Sequence, residues 1–447
     1  MNGSTQVASC DAVHGYVAAI CFKTGPPVTV GAELEWCVID ATDPTRVIPL
    51  DRLRNILEQA GPTPGGSTVT YEPGGQLELS SPPAFGVTAC WQGLRADISH
   101  IERILADDGL TLLWTGIDPY RPPVRQISDL RYDAMESYFD RRGPEGRLMM
   151  CSTAAVQVNL DAGTDAADIA RRWRLLHAVG PPLVAAFANS SWHAGRSAGC
   201  RSMRQVVWQR IDPGRTRPPV GPDPVTAWAD YALDAGVMVR RGGPDQWVTN
   251  PGHTFRQWLT GTNGNGHVSG ASNGHGAGSV NDKGRLSDKG RLSDNGRVSG
   301  ASNGHVRAAP TIDDLDYHLT TLFPPVRPRG WFEVRYIDAQ PAAYWPVPVA
   351  VLSALVNTPR AGDEVMAAAE PVADAWWDAA HRGLAHPGLF RAATACFETA
   401  IDSLRADGTD TALVALVESY LDRYVARRRC PADDAHPFAL APAKEFR

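Results

Sequence analysis

Residues Val28–Ile39 read V-T-V-G-A-E-L-E-W-C-V-I, and this stretch decides the fold. Side chains of a β-strand point alternately to its two sides, so the alternation here predicts a strand with two unlike faces. One face is apolar and the other carries two carboxylates, with Ala32, Leu34, Trp36 and Val38 on the first and Gly31, Glu33 and Glu35 on the second. The apolar face is expected to pack on a core.

Three further stretches repeat this pattern and predict strands of the same sheet: Gln76–Ser80, Ala155–Asp161 and Trp331–Asp338. Their polar sides carry Gln76 and Glu78, then Gln157, Asn159 and Asp161, then Glu333, Arg335 and Ile337. A half-exposed antiparallel sheet would also alternate in this way. The polar sides nevertheless read Glu-x-Glu, Gln-x-Glu, Gln-x-Asn and Glu-x-Arg, whereas the solvent faces of ordinary strands favour Thr, Lys and Arg. Glu72 precedes a Pro-Gly-Gly turn that leads into the second of these strands.

Gathering these carboxylates on one face predicts a metal site. Two carboxylates 5 Å apart repel by roughly 3 kcal/mol at an effective dielectric constant near 20, and a divalent cation removes that repulsion. Oxygen ligands without Cys or His beside them favour Mg²⁺, with Mn²⁺ possible, over zinc. No G-x-x-x-x-G-K-[ST] motif is present, so the sheet itself is predicted to form a metal–nucleotide cup. The predicted metal ligands are Glu33, Glu35, Glu72, Glu78 and Glu333.

A second element carries positive charge. Cys200–Thr216 reads C-R-S-M-R-Q-V-V-W-Q-R-I-D-P-G-R-T and contains four arginines around Trp208. Guanidinium groups bind carboxylates and phosphates in bidentate fashion, so the stretch is a candidate pocket for an anionic small molecule. A solvated, positively charged strand and turn is the alternative.

We expect an α+β protein, in which a curved antiparallel sheet is covered by helices, and we treat residues 1–447 as a single catalytic domain. Apolar residues at helical spacing predict helices at Thr88–Leu105, Asp165–Val179, Pro182–Ala188 and Trp228–Leu233. Residues 346–430 are predicted to be a helical part that packs on the sheet, with helices at Pro348–Val356, Glu364–Arg382, Leu389–Ala406 and Ala412–Arg428.

Residues 261–307 differ from the rest of the chain in composition and repetition. The hexapeptide DKGRLS occurs at Asp282–Ser287 and again at Asp288–Ser293, within a stretch of Gly, Ser, Asn and Asp that lacks aromatic residues. Such a segment buries too little apolar area to offset its ordering entropy, so we predict a disordered loop insertion. Metal binding by its histidines is the alternative, although no ligand spacing supports it.

Composition excludes several classes of protein. The 43 basic and 49 acidic residues give a formal net charge of −6, which argues against a nucleic-acid partner. No apolar run reaches 18 residues, so no membrane span is expected. The eight cysteines form no C-x-x-C pair, and the amino-terminal residues do not resemble a signal peptide. A cytoplasmic location is therefore the expectation.

The chain also resembles a known family in blocks that run in order from about Val28 to Leu355. The blocks are VGAELEW (Val30–Trp36), GGQLELSSPP (Gly74–Pro83), VQVNLD (Val156–Asp161), FANSSW (Phe187–Trp192), VVWQRIDPGRT (Val206–Thr216), YALDAGVM (Tyr231–Met238) and HLTTLFPPVRPRGWFEVRYIDAQP (His318–Pro341). They resemble the plant and actinobacterial type of glutamate–cysteine ligase, in the carboxylate–amine ligase superfamily with a glutamine-synthetase-like sheet. The actinobacterial members make γ-glutamylcysteine for ergothioneine synthesis.

The resemblance implies a role for individual residues. The five glutamates match metal-binding carboxylates, and Arg335 matches an arginine that faces the transferred phosphoryl group. Gln157 and Asn159 are assigned to contacts with the metal or nucleotide. Tyr231 matches a tyrosine near the acceptor amino acid. The implied glutamate pocket contains Trp208, Arg215 and Thr216, together with Arg204.

The implied activity is ATP-dependent ligation of the glutamate γ-carboxylate to cysteine through a γ-glutamyl phosphate. Its partners would be glutamate, cysteine and Mg-ATP, and the protein is expected to be a monomer or weak dimer. Two alternatives remain open. One keeps ATP but uses another amine, or a guanidino group, as the acceptor. The other is a catalytically silent amino-acid-binding relative.

Overall fold

The computed structural model describes residues 4–219, 221–241, 247–249, 251–261 and 309–434. The predicted insertion 261–307 lies outside the described residues except for Gly261, and so do its histidines. Strands of the described part are β1 (Thr29–Asp40), β2 (Thr68–Tyr71), β3 (Leu77–Ser80), β4 (Ala84–Phe85), β5 (Leu110–Leu113), β6 (Ala155–Asp161), β7 (Trp192–His193), β8 (Arg196–Ser197), β9 (Val239–Arg241), β10 (Trp247–Thr249), β11 (Val326–Pro328) and β12 (Trp331–Asp338).

Helices surround these strands. In chain order they are α1 (Cys10–Cys21), α2 (Leu50–Gln59), α3 (Val87–Asp107), α4 (Leu130–Phe139), α5 (Glu145–Ser152), α6 (Ala166–Ala178), α7 (Gly180–Phe187), α8 (Met203–Ile211), α9 (Pro213–Thr216), α10 (Pro224–Asp234), α11 (Phe255–Thr260), α12 (Ile312–Leu319), α13 (Val347–Asn357), α14 (Pro359–Ala369), α15 (Trp376–Arg382), α16 (Pro387–Ala406) and α17 (Thr411–Arg423). Short 3₁₀ turns follow α14, α15 and α17.

Eight strands form the main sheet, in the order β11-β12-β6-β1-β3-β2, with β4 and β5 also paired to β1. Adjacent strands of this sheet run antiparallel to one another. Register aligns the polar residues across four strands, because Glu33 pairs with Gln157, Glu35 with Glu78, and Glu333 with Asn159. These side chains therefore share one face of the sheet, as the alternation predicts.

The opposite face of the sheet enters the main hydrophobic core. Leu34 on β1 and Val158 on β6 are 1% and 0% exposed, and both belong to one cluster that also contains Leu355 and Phe397 of the carboxyl-terminal helices. α13 lies against β6 and is contacted in turn by α16 and α17. This layer supports the sheet from behind and leaves its polar face free.

The predicted α+β class with an antiparallel sheet covered by helices is confirmed. Each of the four predicted strands is present within one residue of its predicted bounds. The placement of Ile337 on the polar face is wrong, since its side chain is fully buried in the core. A β-bulge between Val334 and Ile337 inserts one extra residue and reverses the alternation at that point.

Two other predictions need correction. The predicted helix Glu364–Arg382 is two helices, α14 and α15, because Pro371 has no N–H to donate within a continuous helix. The alternative of a solvated strand at Cys200–Thr216 is wrong, since this stretch forms α8 and α9. Arg204 and Arg215 are 1% and 0% exposed there.

Seven helices match predicted positions: α3, α6, α7, α10, α13, α16 and α17. Six others were not predicted: α1, α2, α4, α5, α11 and α12. Among the described residues, no helix is both long and apolar enough to span a bilayer. All eight cysteines are described and each is a free thiol.

Candidate functional site: an acidic sheet face beside arginine-lined cavities

Three carboxylates meet on the polar face of the sheet. Glu35 on β1, Glu78 on β3 and Glu72 in the turn between β2 and β3 each place one oxygen within 4.8 Å of the other two. Thr70 Oγ1 donates to Glu78 Oε1 at 2.6 Å, which fixes that side chain on the strand. Glu72 joins the strand residues because the tight turn after it returns the chain antiparallel, with Gly75 N–H donating to Glu72 O at 2.8 Å. We call these three residues the acidic triad.

The electrostatics of the acidic triad favour a bound cation. Burial and the nearby Glu35 and Glu78 raise the pKa of Glu72 to about 8. Burial also raises the pKa of Glu78 and of Glu35, although Arg204 and Arg335 counteract the rise at Glu35. Such shifts arise where carboxylates are desolvated together and nearby positive charge only partly compensates them.

Glu333 has a different environment from the acidic triad. Arg327 donates to both of its carboxylate oxygens at 2.7 and 3.1 Å, Arg335 Nη1 donates at 2.8 Å, and Arg329 Nη1 donates at 3.3 Å. Burial alone would raise the pKa of Glu333, but the surrounding arginines hold it well below its usual range. Both oxygens of Glu333 are thus already engaged by guanidinium groups.

Amides link the glutamates to one another. Gln157 Nε2 donates to Glu35 at 2.6 Å, and the Gln157 Oε1 accepts from Arg335 Nη1 at 2.6 Å. Asn159 Nδ2 donates to Glu33 at 2.9 Å. Burial raises the pKa of Glu33, and the charges of Glu333 and Glu78 raise it further. Gln157 and Asn159 therefore orient carboxylates across the face.

Arg204 is a buried cation with unused donors. Its guanidinium lies 4.6 Å above the Trp208 ring, and Nη2 donates to the Arg335 carbonyl at 2.8 Å. Among the described residues, Nε and Nη1 have no hydrogen-bond partner, and Nη1 is 4.0 Å from Asp338. Leaving buried donors unpaired costs about 1–3 kcal/mol each, so this environment favours an anionic ligand.

Asp338 anchors the segment that carries Arg204. Its buried carboxylate accepts from the Asn189 N–H at 2.9 Å, from Ser190 Oγ at 2.7 Å and from Ser202 Oγ at 3.0 Å. Ser202 is also the N-cap of α8, and its side chain accepts from the Gln205 N–H. β12 and the start of α8 are thereby held together.

Arg215 differs from Arg204 because the chain itself engages its donors. The guanidinium donates to Asp212 at 3.1 Å, to the Thr321 carbonyl at 2.9 Å, to Thr321 Oγ1 at 2.8 Å and to the Gly236 carbonyl. It also stacks over Tyr138 at 4.6 Å. This fully buried group packs α9 against neighbouring segments, and no direct route to a ligand is open in this conformation.

Several predicted residues share one cavity of about 400 Å³. Trp208, Thr216 and Arg335 line it, together with Arg217 and the indoles of Trp376 and Trp377. The Trp208 Nε1 and the Arg335 Nε are buried without a partner in the described part of the chain. We call this the Trp208 cavity.

Tyr231 lies in a neighbouring cavity of about 700 Å³, which we call the Tyr231 cavity. Its ring stacks on Trp228 with 5.5 Å between centroids, and its buried hydroxyl has no partner among the described residues. Arg217 and Pro213 line both cavities, so the two adjoin.

Two functional candidates escaped the sequence reasoning. Arg327 and Arg329 grip Glu333, and with Arg131 they line a further cavity of about 510 Å³. The available signal was the hairpin V-R-P-R-G-W-F-E, since a turn after Pro328 pairs Arg327 directly with Glu333 across two strands.

The donor set fits the implied divalent cation. Among the described residues the ligand group consists of three carboxylates with raised pKa values, and hard oxygen ligands of this kind suit Mg²⁺ or Mn²⁺. Of the five predicted metal ligands, Glu35, Glu72 and Glu78 meet at ligand distance. Glu33 and Glu333 lie on the same face but contact Asn159 and arginines instead.

Known proteins are similar over nearly the whole chain. Residues 29–434 match the model of the Glutamate-cysteine ligase family 2 (GCS2). Glutamate–cysteine ligase EgtA of Mycobacterium tuberculosis is 40% identical over 434 residues, covering 96% of this chain and 90% of that protein. The chloroplastic glutamate–cysteine ligase of Brassica juncea is 30% identical over 284 residues, which is 62% of this chain and 47% of that protein.

Among solved structures, glutamate–cysteine ligase of Francisella tularensis in complex with AMP aligns with a TM-score of 0.47 at 11% identity, covering 92% of this chain and 84% of that one. The family match spans the acidic triad, both cavities and the carboxyl-terminal helices. With that extent and with 40% identity to a curated relative, this chain belongs to glutamate–cysteine ligase family 2.

Proposed function

We propose that the protein is an ATP-dependent glutamate–cysteine ligase that forms γ-glutamylcysteine, ADP and phosphate, as a step of ergothioneine synthesis in the cytoplasm. The observation that carries this proposal is the acidic triad lying beside an arginine with unpaired donors, within a chain similar to enzymes named for the same reaction.

Glutamate is a poor acyl donor until its γ-carboxylate is activated. In the proposed reaction, a γ-carboxylate oxygen attacks the γ-phosphorus of ATP, giving γ-glutamyl phosphate and ADP. The amine of cysteine then attacks the carbonyl carbon and loses a proton as phosphate leaves. Both steps place negative charge on phosphoryl oxygens, and this charge must be neutralised for the reaction to proceed.

Glu35, Glu72 and Glu78 would hold Mg²⁺, which when bound screens the charge of the ATP phosphates and polarises the transferred phosphoryl group. We propose that Glu33 completes this set and that Glu333 contributes through the arginines it orients. Gln157 and Asn159 would keep the carboxylates aimed at the metal and nucleotide, as their hydrogen bonds to Glu35 and Glu33 suggest.

Arg335 is proposed as the catalytic residue that stabilises the transferred phosphoryl group. Glu333 and Gln157 fix its Nη1, while its buried Nε has no partner among the described residues and is available to a developing charge. Because burial excludes water, this contact would be stronger than in bulk solvent. Arg131, Arg327 and Arg329 line a cavity suited to the remaining phosphates.

Glutamate is proposed to occupy the Trp208 cavity. Arg204 would bind its α-carboxylate with Nε and Nη1, and Trp208 and Thr216 would form the wall. Arg215 would act indirectly by holding α9 in place, since its donors are engaged by the chain. The indoles of Trp376 and Trp377 line this cavity, and apolar walls of this kind would help to protect an acyl phosphate from hydrolysis.

The test is a phosphate-release assay with Mg-ATP and glutamate fixed and a panel of amino acids as acceptor. We expect rapid release with cysteine and at least tenfold slower release with other amines. Equal release without any acceptor, or a preference for a guanidino compound, would refute the assignment. Mg-ATP binding without turnover for any amine would indicate a silent relative. Light scattering during size-exclusion chromatography tests the expectation of a monomer or weak dimer.

A further inference from the structure

The Tyr231 cavity contains one cation and three carboxylates among its lining side chains. The carboxylates already have partners. Asp230 and Asp234 both accept from Arg256, at 3.0 and 2.6 Å, and Asp223 caps α10 by accepting from the Thr226 N–H at 2.8 Å. The three carboxylates of the cavity are therefore already engaged in structural contacts.

Arg217 is the remaining charged group of this cavity. The residue is exposed, and no ion pair or side-chain hydrogen bond joins its guanidinium to the rest of the described chain. It follows Thr216 directly and lines the Trp208 cavity as well. A free guanidinium at the junction of two cavities is positioned to meet an anionic group of a ligand.

The hydroxyl of Tyr231 also indicates that this cavity binds a ligand. It is buried without a hydrogen-bond partner among the described residues, an arrangement that a bound ligand would relieve. Burial raises the pKa of Tyr231, while the charges of Arg215 and Arg217 act in the opposite direction, which places Arg217 near this hydroxyl. A neutral phenol and a guanidinium together suit a carboxylate, one as hydrogen-bond donor and the other as counter-ion.

We propose that Arg217 binds the α-carboxylate of the acceptor amino acid, seated in the Tyr231 cavity, and so selects amino acids over simple amines. This inference rests on the proposed ligase function and adds a residue to which neither the sequence reasoning nor the comparisons assign a role. Glutamate is assigned a different cation, Arg204, whose guanidinium lies 4.6 Å from the centre of the Trp208 ring. The shared wall at Arg217 then keeps the two amino acids adjacent, as amide formation between them requires.

A substrate that lacks the carboxylate isolates this contact. Cysteamine is cysteine without its α-carboxylate, so wild-type protein should use it with a kcat/KM at least tenfold below that of cysteine. Arg217→Gln should raise the KM for cysteine by about 10- to 100-fold, leave cysteamine unchanged, and alter the KM for glutamate and ATP by less than twofold. Arg217→Lys should recover part of the cysteine affinity, since it keeps the charge but loses the planar fork.

Arg360→Gln is the matched control, because that arginine is 89% exposed and lies on α14. An unchanged cysteine KM in Arg217→Gln would overturn the proposal. So would an equal loss for cysteine and cysteamine, or a rise in the glutamate KM alone. Wild-type protein that releases no phosphate with any acceptor would instead refute the ligase function itself, so the two failures are distinguishable.

Discussion

Replacing Glu72 by glutamine should change the number of protons that the protein exchanges when metal binds. With a pKa of about 8, this carboxyl is roughly nine-tenths protonated at pH 7 in metal-free protein. A carboxylate ligand must be deprotonated, so metal binding at pH 7 should release about 0.9 proton from this residue. The apparent metal affinity of wild-type protein should accordingly rise about tenfold from pH 6 to pH 7, and Glu72→Gln should remove this proton.

The same shift affects stability in the absence of metal. Folding raises the pKa of this carboxyl from 4.5 to about 8, so the folded protein keeps the proton up to a higher pH than the unfolded chain does. The contribution of Glu72 to the free energy of unfolding is therefore complete below pH 4.5 and is lost as the pH rises to about 8. The loss is at most roughly 5 kcal/mol, reduced by solvent screening because Glu72 is only partly buried. In EDTA, unfolding by urea should therefore become easier from pH 5 to pH 8 in wild-type protein and change less in Glu72→Gln.

Calorimetric titration of Mn²⁺ in two buffers with different protonation enthalpies measures the released protons, and urea unfolding measures the stability. Asp402→Asn serves as control, since that carboxylate is 80% exposed and belongs to α16. Identical proton counts and identical pH profiles in wild-type protein and Glu72→Gln would refute the reasoning, because they would mean that Glu72 is ionised before metal arrives.

Three other changes have defined outcomes. Glu333→Gln leaves the largely buried guanidinium groups of Arg327 and Arg335 uncompensated, so urea unfolding at pH 7 should show a loss of about 3–5 kcal/mol in the free energy of unfolding. In wild-type protein this contribution should fade as the pH drops below 4.5. A loss below 1 kcal/mol would contradict the arginine cluster. Arg204→Lys should raise the glutamate KM at least tenfold in the phosphate-release assay with the ATP KM unchanged, and an unchanged glutamate KM would remove Arg204 from the pocket. Replacing residues 262–308 by a short Gly-Ser linker should preserve turnover, since their composition offers no packed core, and an inactive variant would show that they act in catalysis.

The sheet was predictable because its signal is local. Alternation with period two places Glu33 and Glu35 on one face of β1 whatever the rest of the chain does, and the same holds for Glu78 on β3. Cross-strand register then follows from burying the other face, so the meeting of acidic residues could be anticipated. Short helices such as α4 and α5 lack a clear apolar period and were missed for that reason.

Charge pairing was not predictable to the same extent. Arg204 and Arg215 look alike in sequence, yet Arg204 keeps free donors while Arg215 is engaged by Asp212, three residues before it, and by Thr321, which only the tertiary fold brings near. The division of the glutamates between the acidic triad and the arginines likewise depends on which side chains reach across strands. Residue type predicted metal binding by carboxylates and anion binding by arginines. Contacts between distant segments determine which of these side chains remain available to a ligand.

The extra residue in β12 has a consequence for how this strand tolerates change. Glu333 before the bulge and Arg335 within it face the polar side. After the bulge, Ile337 pairs with Val156 and turns inward, and Asp338 turns outward to meet Ser190 and Ser202. Without the bulge, uninterrupted alternation over the same number of residues would place Ile337 on the polar face and direct Asp338 into the apolar layer. The bulge in this short span therefore keeps the carboxylate that anchors α8 on the same face of the sheet as the residues proposed to carry out phosphoryl transfer.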